Sequence, residues 1–307
     1  RCWNTTISIG SASFRDDITR ITKCDVLLIC HDVDRSLTKN GKAYSPLLDS
    51  VRQDMESRGL SCMSVAHPWS ALDGNAAHGS PISLNKANLI FRLAEKVHRV
   101  LRLSVFRAEN PYALIIEKSG AKLLISIGSP IEMSEIAREK KILHVELLHG
   151  IGYTSLPWGW DRLQSTALPQ GILSLDHVSS ESFDKLKEKG IDIHTIPHPF
   201  LKQFIGENKE YQMSEWRSRH EEDQSYRKRI IVTFNWSHTS VDILRRGFRG
   251  IKIGVFLELI MKLVEEDKGV FWHFRVHPVQ LRSPRFRYLR NAMDQLISPM
   301  PNADWRR

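Results

Sequence analysis

Residues 142–153 read ILHVELLHGIGY: Ile142-Leu143-His144-Val145-Glu146-Leu147-Leu148, then His149-Gly150-Ile151-Gly152-Tyr153. The first part is dense in aliphatic side chains and predicts a buried strand over Ile142–Leu148. The chain leaves that strand through an imidazole and two glycines, which lets backbone approach a phosphate or sugar closely. The competing account is a glycine turn beside a histidine satisfied in the core.

Outward from this stretch the pattern repeats. Strands are predicted upstream at Asp25–Cys30 (DVLLIC), Leu60–Ala66 and Lys122–Ile127 (KLLISI), with Tyr112–Lys118 pairing with the last of these. Downstream, Ile172–Leu175 and Ile193–Ile196 read the same way. Amphipathic stretches separate them. Ser45–Gly59 has Pro46 in its first turn, Leu47, Leu48, Val51 and Met55 on one face and Gly59 past its end. Leu84–Leu103 carries Ile90, Leu93, Ala94, Val97 and Leu101, and Ser134–Lys140 and Ser180–Lys189 complete the set. Alternating strands and helices specify a parallel sheet covered by helices.

A polar stretch, 206–228, interrupts the alternation. It resumes with Arg229–Phe234 (strand), Val255–Glu266 (helix), Phe271–Val276 (FWHFRV, strand) and Arg285–Leu296 (helix). The expected architecture is α/β: a Rossmann-like domain over 1–205, a polar linker over 206–228, and a second Rossmann-like domain over 229–307. At ~80 residues the second is short of the usual strand count. The chain starts at Arg1 and stops on the polar tail Asp304-Trp305-Arg306-Arg307, so further segments are expected.

The 307 residues carry a formal net charge of +9. Such a surplus predicts anionic partners: nucleic acid, phosphorylated small molecules or an anionic membrane face. Nucleic acid is disfavoured because no helix-turn-helix or RNA-reading signature accompanies the charge. No apolar run approaches the ~18–20 residues of a transmembrane helix. Phosphate-loop, GxGxxG, GxSxG, HExxH and kinase signatures are absent. Cys2, Cys24, Cys30 and Cys62 lack metal-ligand spacing and read as reduced thiols of a cytoplasmic protein, so no zinc site is expected.

Ligands of open parallel sheets bind at the carboxyl ends of strands, and that rule selects four segments. In His31-Asp32-Val33-Asp34, the Asp32/Asp34 pair could position a general base, or simply cap the following turn. His149 and Gly150, with Tyr153, form the second segment, followed by Trp158-Gly159-Trp160, either a sugar platform or apolar packing. In Arg275-Val276-His277-Pro278, a cation and an imidazole leave a strand end and suit phosphate oxygens. Arg282, Arg285, Arg287 and Arg290 beyond them read as a solvated helix face or a phosphate- or membrane-facing patch. In Asn235-Trp236-Ser237, amide and hydroxyl suit a nucleotide or a helix cap. Asp73-Gly74 is a lone further candidate.

Two Rossmann-like units, the first with a strand ending in His-Gly and the second with one ending in Arg-x-His-Pro, resemble bacterial GT-B glycosyltransferases of capsule and lipopolysaccharide assembly. The stretch VELLHGIGYT…LPQGILSLDHVSSESFDKLKEKGIDIHTIPHP carries the likeness, and FRVHP looks like the His-Pro motif of bacterial sialyltransferases. The resemblance covers roughly 110–200 and 229–280. It implies a CMP-activated donor such as Kdo or sialic acid as co-substrate, no metal or other cofactor, and a surface glycan or glycolipid acceptor. It further implies His277 and Pro278 on the donor phosphate with Arg275 assisting, and His149 and Gly150 lining the cleft. An anionic inner-membrane face is a further expected partner. The sequence departs from that family where an acidic D/E-D/E-G motif should hold the base: only Asp73-Gly74 approximates it. Asp32, Asp34 and His149 are therefore the candidate catalytic groups. Teichoic-acid polyol-phosphate transferases share a His-Gly loop and are the rival within this fold. A non-catalytic module of a polysaccharide synthase is the rival outside catalysis.

Overall fold

Alternate residues of the first strand face opposite ways, and here both sets are apolar. The computed structural model describes residues 17–68, 74–101, 109–202, 226–233, 253–276 and 287–305. Val26–Cys30 forms β1, buried at all five positions. A strand buried on both faces belongs in the middle of a helix-covered parallel sheet. The hairpin β2 (Leu37–Lys39) and β3 (Lys42–Tyr44) comes next, turning through Asn40-Gly41, both at positive φ as a type I′ turn requires. β1 lies between β4 (Cys62–Ala66) and β5 (Leu123–Ser126). The sheet continues through β6 (Leu143–Leu147), β7 (Gly171–Ser174) and β8 (Asp192–Thr195), all pairings parallel. The order β4-β1-β5-β6-β7-β8 is that of flavodoxin-type doubly wound sheets, whose switch point falls between β1 and β5.

Helices lie on both faces. α1 (Leu48–Ser57) belongs to the face of Val26, Leu28 and Cys30 through Leu48, Val51 and Met55. α2 (Asn85–Leu101), α3 (Pro111–Ser119) and α4 (Ile131–Glu139) come after β4 in the chain, α3 before β5 and α4 after it. Ile115 and Ile116 of α3 and Met133 and Ala137 of α4 pack with Leu27 and Ile29 on the opposite face. α5 (His177–Phe183) tightens into a 3-10 turn over Asp184–Lys189 that ends at Gly190, φ +73°. α6 (Pro199–Lys202) comes after β8.

The strand expected over Tyr112–Lys118 is a helix. The aliphatic run Ala113–Ile116 suits either structure, so the ends decide. Asn110 accepts a hydrogen bond from the Tyr112 N–H as N-cap, Pro111 occupies the first turn, and Gly120 closes the helix at φ +63°.

The chain divides into two compact units, Arg1–Gly206 and Glu207–Arg307. In the second, β9 (Lys228–Thr233), β10 (Val270–Arg275) and β11 (Ala303–Asp304) form a parallel sheet ordered β11-β10-β9. α7 (Ile253–Glu266) precedes β10 and α8 (Arg287–Leu296) comes after it. Val264, Trp272, Phe274, Met293, Ile297 and Trp305 are buried together. The tail read as polar from Asp304 is therefore structural through Trp305: Asp304, with Ala303 before it, forms the third strand. The buried Asn302 amide donates to the carbonyls of Val264 (2.9 Å) and Val270 (3.2 Å), tying α7 to β10. Both units are α/β with parallel sheets, as expected. The expected linker is outside the described residues up to 225.

Candidate functional site

All six strands of the first sheet point one way, so their carboxyl ends share an edge. At β1, Asp32–Asp34 forms a 3-10 turn. The Asp34 carboxylate accepts the His31 N–H at 3.1 Å, so it caps its own turn. Burial pushes the Asp34 pKa up to about 6. Burial likewise lowers that of His31. Two strands away, ~10 Å along the edge, β6 ends at Leu147 and runs on into Leu148 and His149.

The loop after β6 is anchored to α5. Asp176 caps that helix, accepting from the Ser179 N–H at 2.9 Å and its hydroxyl at 2.6 Å. The same carboxylate takes the Gly152 N–H at 3.1 Å, and the Ser179 oxygen takes the Tyr153 N–H at 3.0 Å. His149 is thereby carried on a fixed loop. Its Nε2 lies 3.5 Å from the Tyr153 hydroxyl, and its ring is 6.1 Å from Trp158. Crowding by this surround lowers the imidazole pKa, which keeps the ring neutral at neutral pH.

Trp158 and Trp160 take different roles. Trp160 is buried against Phe183 and Leu168. Trp158 is 52% exposed and stands at φ +60°, a costly conformation for a bulky side chain. The Lys189 ammonium fixes the following turn by donating to the carbonyls of Asp161 and Leu163, both at 2.7 Å. Trp158, Tyr153 and His149 form an open aromatic ledge, with ring centroids 6.0–6.2 Å apart.

Beneath this edge lies a buried polar network that the strand reading of 142–148 does not anticipate. His144 and Glu146 project from the same face of β6. Glu146 accepts from the Ser126 hydroxyl (2.7 Å), the Gly128 N–H (2.5 Å) and the Ser129 hydroxyl (2.9 Å). Burial nevertheless pushes its pKa up to about 7. Because Ser126 donates to Glu146, it accepts from His144 Nε2–H at 2.7 Å, and the Ser134 hydroxyl then donates to Nδ1 at 3.1 Å. That pattern holds a neutral imidazole, in keeping with a pKa lowered by burial to about 3. The network fixes the Gly128-Ser129 loop, which sits between the β1 and β6 loops. Two polar residues spaced by two inside an apolar strand were the available signal.

His67, just past β4, is buried with Nδ1 3.2 Å from the Tyr112 hydroxyl and Nε2 3.1 Å from the Ile127 carbonyl. Burial lowers its pKa from 6.5 to about 4. A base with a depressed folded-state pKa contributes stability that is present above 6.5 and lost as pH falls through about 4. In an NMR titration, the His67 ring resonances should therefore stay constant from pH 8 down to about 5. Titration near the ordinary value would contradict this.

In the second unit, Arg275 ends β10. His273 faces the same way, and its Nδ1 lies 2.9 Å from Asp304, which is 3.7 Å from Arg275 Nη1. The Arg275 charge is thus partly balanced from within. Asp73, Asn235, Ser237, His277 and Pro278 lie outside the described residues, so the first unit's edge gathers Asp32, Asp34, His149, Gly150 and Tyr153, while Arg275 stands in the other unit. Among the described residues, no group of three His, Cys, Asp or Glu side chains is arranged to hold a metal ion. No described helix is long and apolar enough to cross a membrane.

No protein-family model and no curated protein matches the sequence. Among solved structures, spinosyn rhamnosyltransferase SpnG aligns with 14% identity and a TM-score of 0.46, over 91% of this chain and 69% of its own. A UGT transferase from Siraitia grosvenorii in complex with UDP gives 11% and 0.40, over 82% and 62%. Phytolacca americana UGT2, complexed with UDP-2-fluoro-glucose and pterostilbene, gives 10% and 0.39, over 92% and 71%. The chain thus spans about two thirds of the length of these proteins.

Proposed function

We propose that this chain is a nucleotide-sugar-dependent glycosyltransferase of GT-B type, moving Kdo or sialic acid from a CMP-activated donor to a surface glycan or glycolipid. The observation that carries the reading is the carboxyl edge of the first sheet. A neutral imidazole on an anchored loop stands there beside an aromatic ledge, two strands from a half-buried carboxylate pair.

In this reaction His149 takes the proton of the acceptor hydroxyl. The freed oxygen attacks the anomeric carbon, and the bond from that carbon to the CMP phosphate oxygen breaks with its electron pair. Arg275, His277 and Pro278 hold the phosphate and stabilise the charge it gains. Asn235 and Ser237 are assigned to the nucleotide, and Gly150, Tyr153 and Asp73 to the acceptor. Asp34 is the weaker base because its carboxylate already serves its own turn, and Asp32 shares that turn.

Calorimetry with CMP, CDP and UDP tests the proposal. The expected result is binding of CMP, weakened ~10-fold or more in His277→Ala by loss of a charge-assisted contact. Preference for CDP with polyol-phosphate transfer would move the chain to the teichoic-acid type of enzyme. Absence of any nucleotide binding would reject the transferase and leave a non-catalytic module.

A further inference from the structure

Trp158 and Gly159 occupy the two central positions of a tight turn. The Trp160 N–H donates back to the Pro157 carbonyl at 3.3 Å, and both central residues have positive φ, +60° and +72°. A type I′ turn of this kind ordinarily takes Asn-Gly, because a left-handed backbone crowds any larger first residue. The core does not call for the indole. Trp160 fills the space against Phe183 and Leu168, while Trp158 only leans on Trp160 from outside, ring centroids 5.2 Å apart, and stays exposed. A bulky ring held in a strained backbone at the rim of a candidate site points to a ligand.

Shape and charge select the ligand. The ledge pairs open ring faces with two polar atoms at its edge, the Tyr153 hydroxyl and His149 Nε2. That suits a ring with a C–H face and a rim of hydroxyls, as a pyranose has and an apolar aglycone lacks. The free charges about the loop are acidic. Asp176 accepts the Gly152 N–H, Asp161 follows within the turn, and Glu146 lies near enough to Tyr153 to add to the effect of burial on its phenol. The cations of the turn are already engaged: Lys189 donates to the carbonyls of Asp161 and Leu163, and Arg162 pairs with Asp161 at 3.8 Å. A sugar bearing a carboxylate would meet repulsion here, and a neutral one would not.

We propose that Trp158 is the platform for the terminal ring of the acceptor, and that this ring is a neutral hexose, not an acidic sugar. The ring stacks on the indole with the hydroxyl to be glycosylated on the His149 side of the ledge. The inference rests on the transferase reading and narrows it. A chain that adds an acidic sugar to a neutral end starts or caps an acidic segment, so a hexose-transferring reaction must come before it. Lengthening a homopolymer of acidic sugars would instead require a cation where this ledge has Asp161 and Asp176.

Titration of the full chain, without donor, with the methyl β-glycosides of glucose and galactose, each beside its uronate, tests this. Each pair differs only in a hydroxymethyl against a carboxylate. By ligand-detected NMR, a neutral glycoside is expected to bind, with saturation passing to the C–H protons of one ring face, and its uronate about 10-fold more weakly. Trp158→Asn should weaken the neutral glycoside roughly 10-fold, and Trp158→Tyr should restore most of that. The midpoint of Trp158→Asn should stay within about 3 °C of the unaltered chain, since Asn-Gly relieves the turn as the outer contact with Trp160 is lost. Equal or tighter binding of the uronates would overturn the neutral assignment. Undiminished binding by Trp158→Asn, a midpoint lowered by about 8 °C or more, or no binding of any glycoside would overturn the platform. Glycoside binding without CMP binding would reject the transferase reading and leave the platform standing; CMP binding without glycoside binding would do the reverse.

Discussion

Alanine at position 149 is expected to lower turnover by about 10²–10⁴-fold, the range for losing a positioned general base. The first unit should stay folded, because His149 is exposed and the loop is held through the N–H groups of Gly152 and Tyr153, not through the imidazole. The effect should fall on kcat more than on KM. For the unaltered chain, kcat/KM should be level around neutral pH and decline on the acid side below pH 6.5, since the rings crowded round this imidazole partly desolvate it and lower its pKa, and only the neutral form accepts a proton. Steady-state kinetics with a CMP-sugar donor across pH 5–8 would measure both. Unchanged turnover in His149→Ala would reject the assignment and return the base to the Asp32/Asp34 turn.

The largest expected loss of stability comes from Asp49→Ala. Arg35 and Asp49 form an ion pair at 2.7 Å with side chains 0% and 3% exposed. Asp49 also accepts the Ser45 N–H at 2.7 Å, and Arg35 donates to the His78 carbonyl at 3.2 Å. The pair therefore joins the β1 turn, the start of α1 and the segment after β4. Removing the carboxylate strands a guanidinium in the interior, which costs about 3–5 kcal/mol. For a unit of this size the midpoint should fall by roughly 6–20 °C. Arg35→Met combined with Asp49→Leu removes both charges and should recover most of the loss, because desolvation offsets much of a buried pair's attraction. Thermal melts of the three proteins decide it. A loss below about 1 kcal/mol in Asp49→Ala would mean that the guanidinium is solvated on removal of its partner.

How much of the fold and the site is legible in the sequence depends on where the information lies in the chain. The strands Val26–Cys30 and Leu143–Leu147 and the helix Leu48–Ser57 are readable within a few residues, because aliphatic runs and terminal Pro and Gly are local signals. For Pro111–Ser119 the aliphatic content suggests a strand, although Asn110-Pro111 and Gly120 mark a helix. Asn40-Gly41 likewise marks a hairpin, which the alternation of strands and helices does not include. Periodicity places Ile90, Leu93 and Val97 on one face of α2 but does not say that they stay exposed while Asn85 and Asn88 are buried. That depends on the asparagines finding a place in the core. His149, Gly150 and Tyr153 are legible as a strand-end loop. The network of Glu146 and His144 is not, because the partners Ser126, Gly128, Ser129 and Ser134 come from β5, the loop after it and α4.

The strand order carries a consequence for synthesis of the chain. β1 pairs with β4 on one side, but its other neighbour is β5, which ends at Ser126. A ribosome adding about 5–20 residues per second takes ~3–12 s to travel from Ala66 to Ser126. Through that interval the growing chain carries the all-apolar β1 with one edge unpaired and one flank unclad by α3 and α4. The nascent protein is most open to capture by a chaperone, or by another nascent copy, during that window, well before either unit is complete.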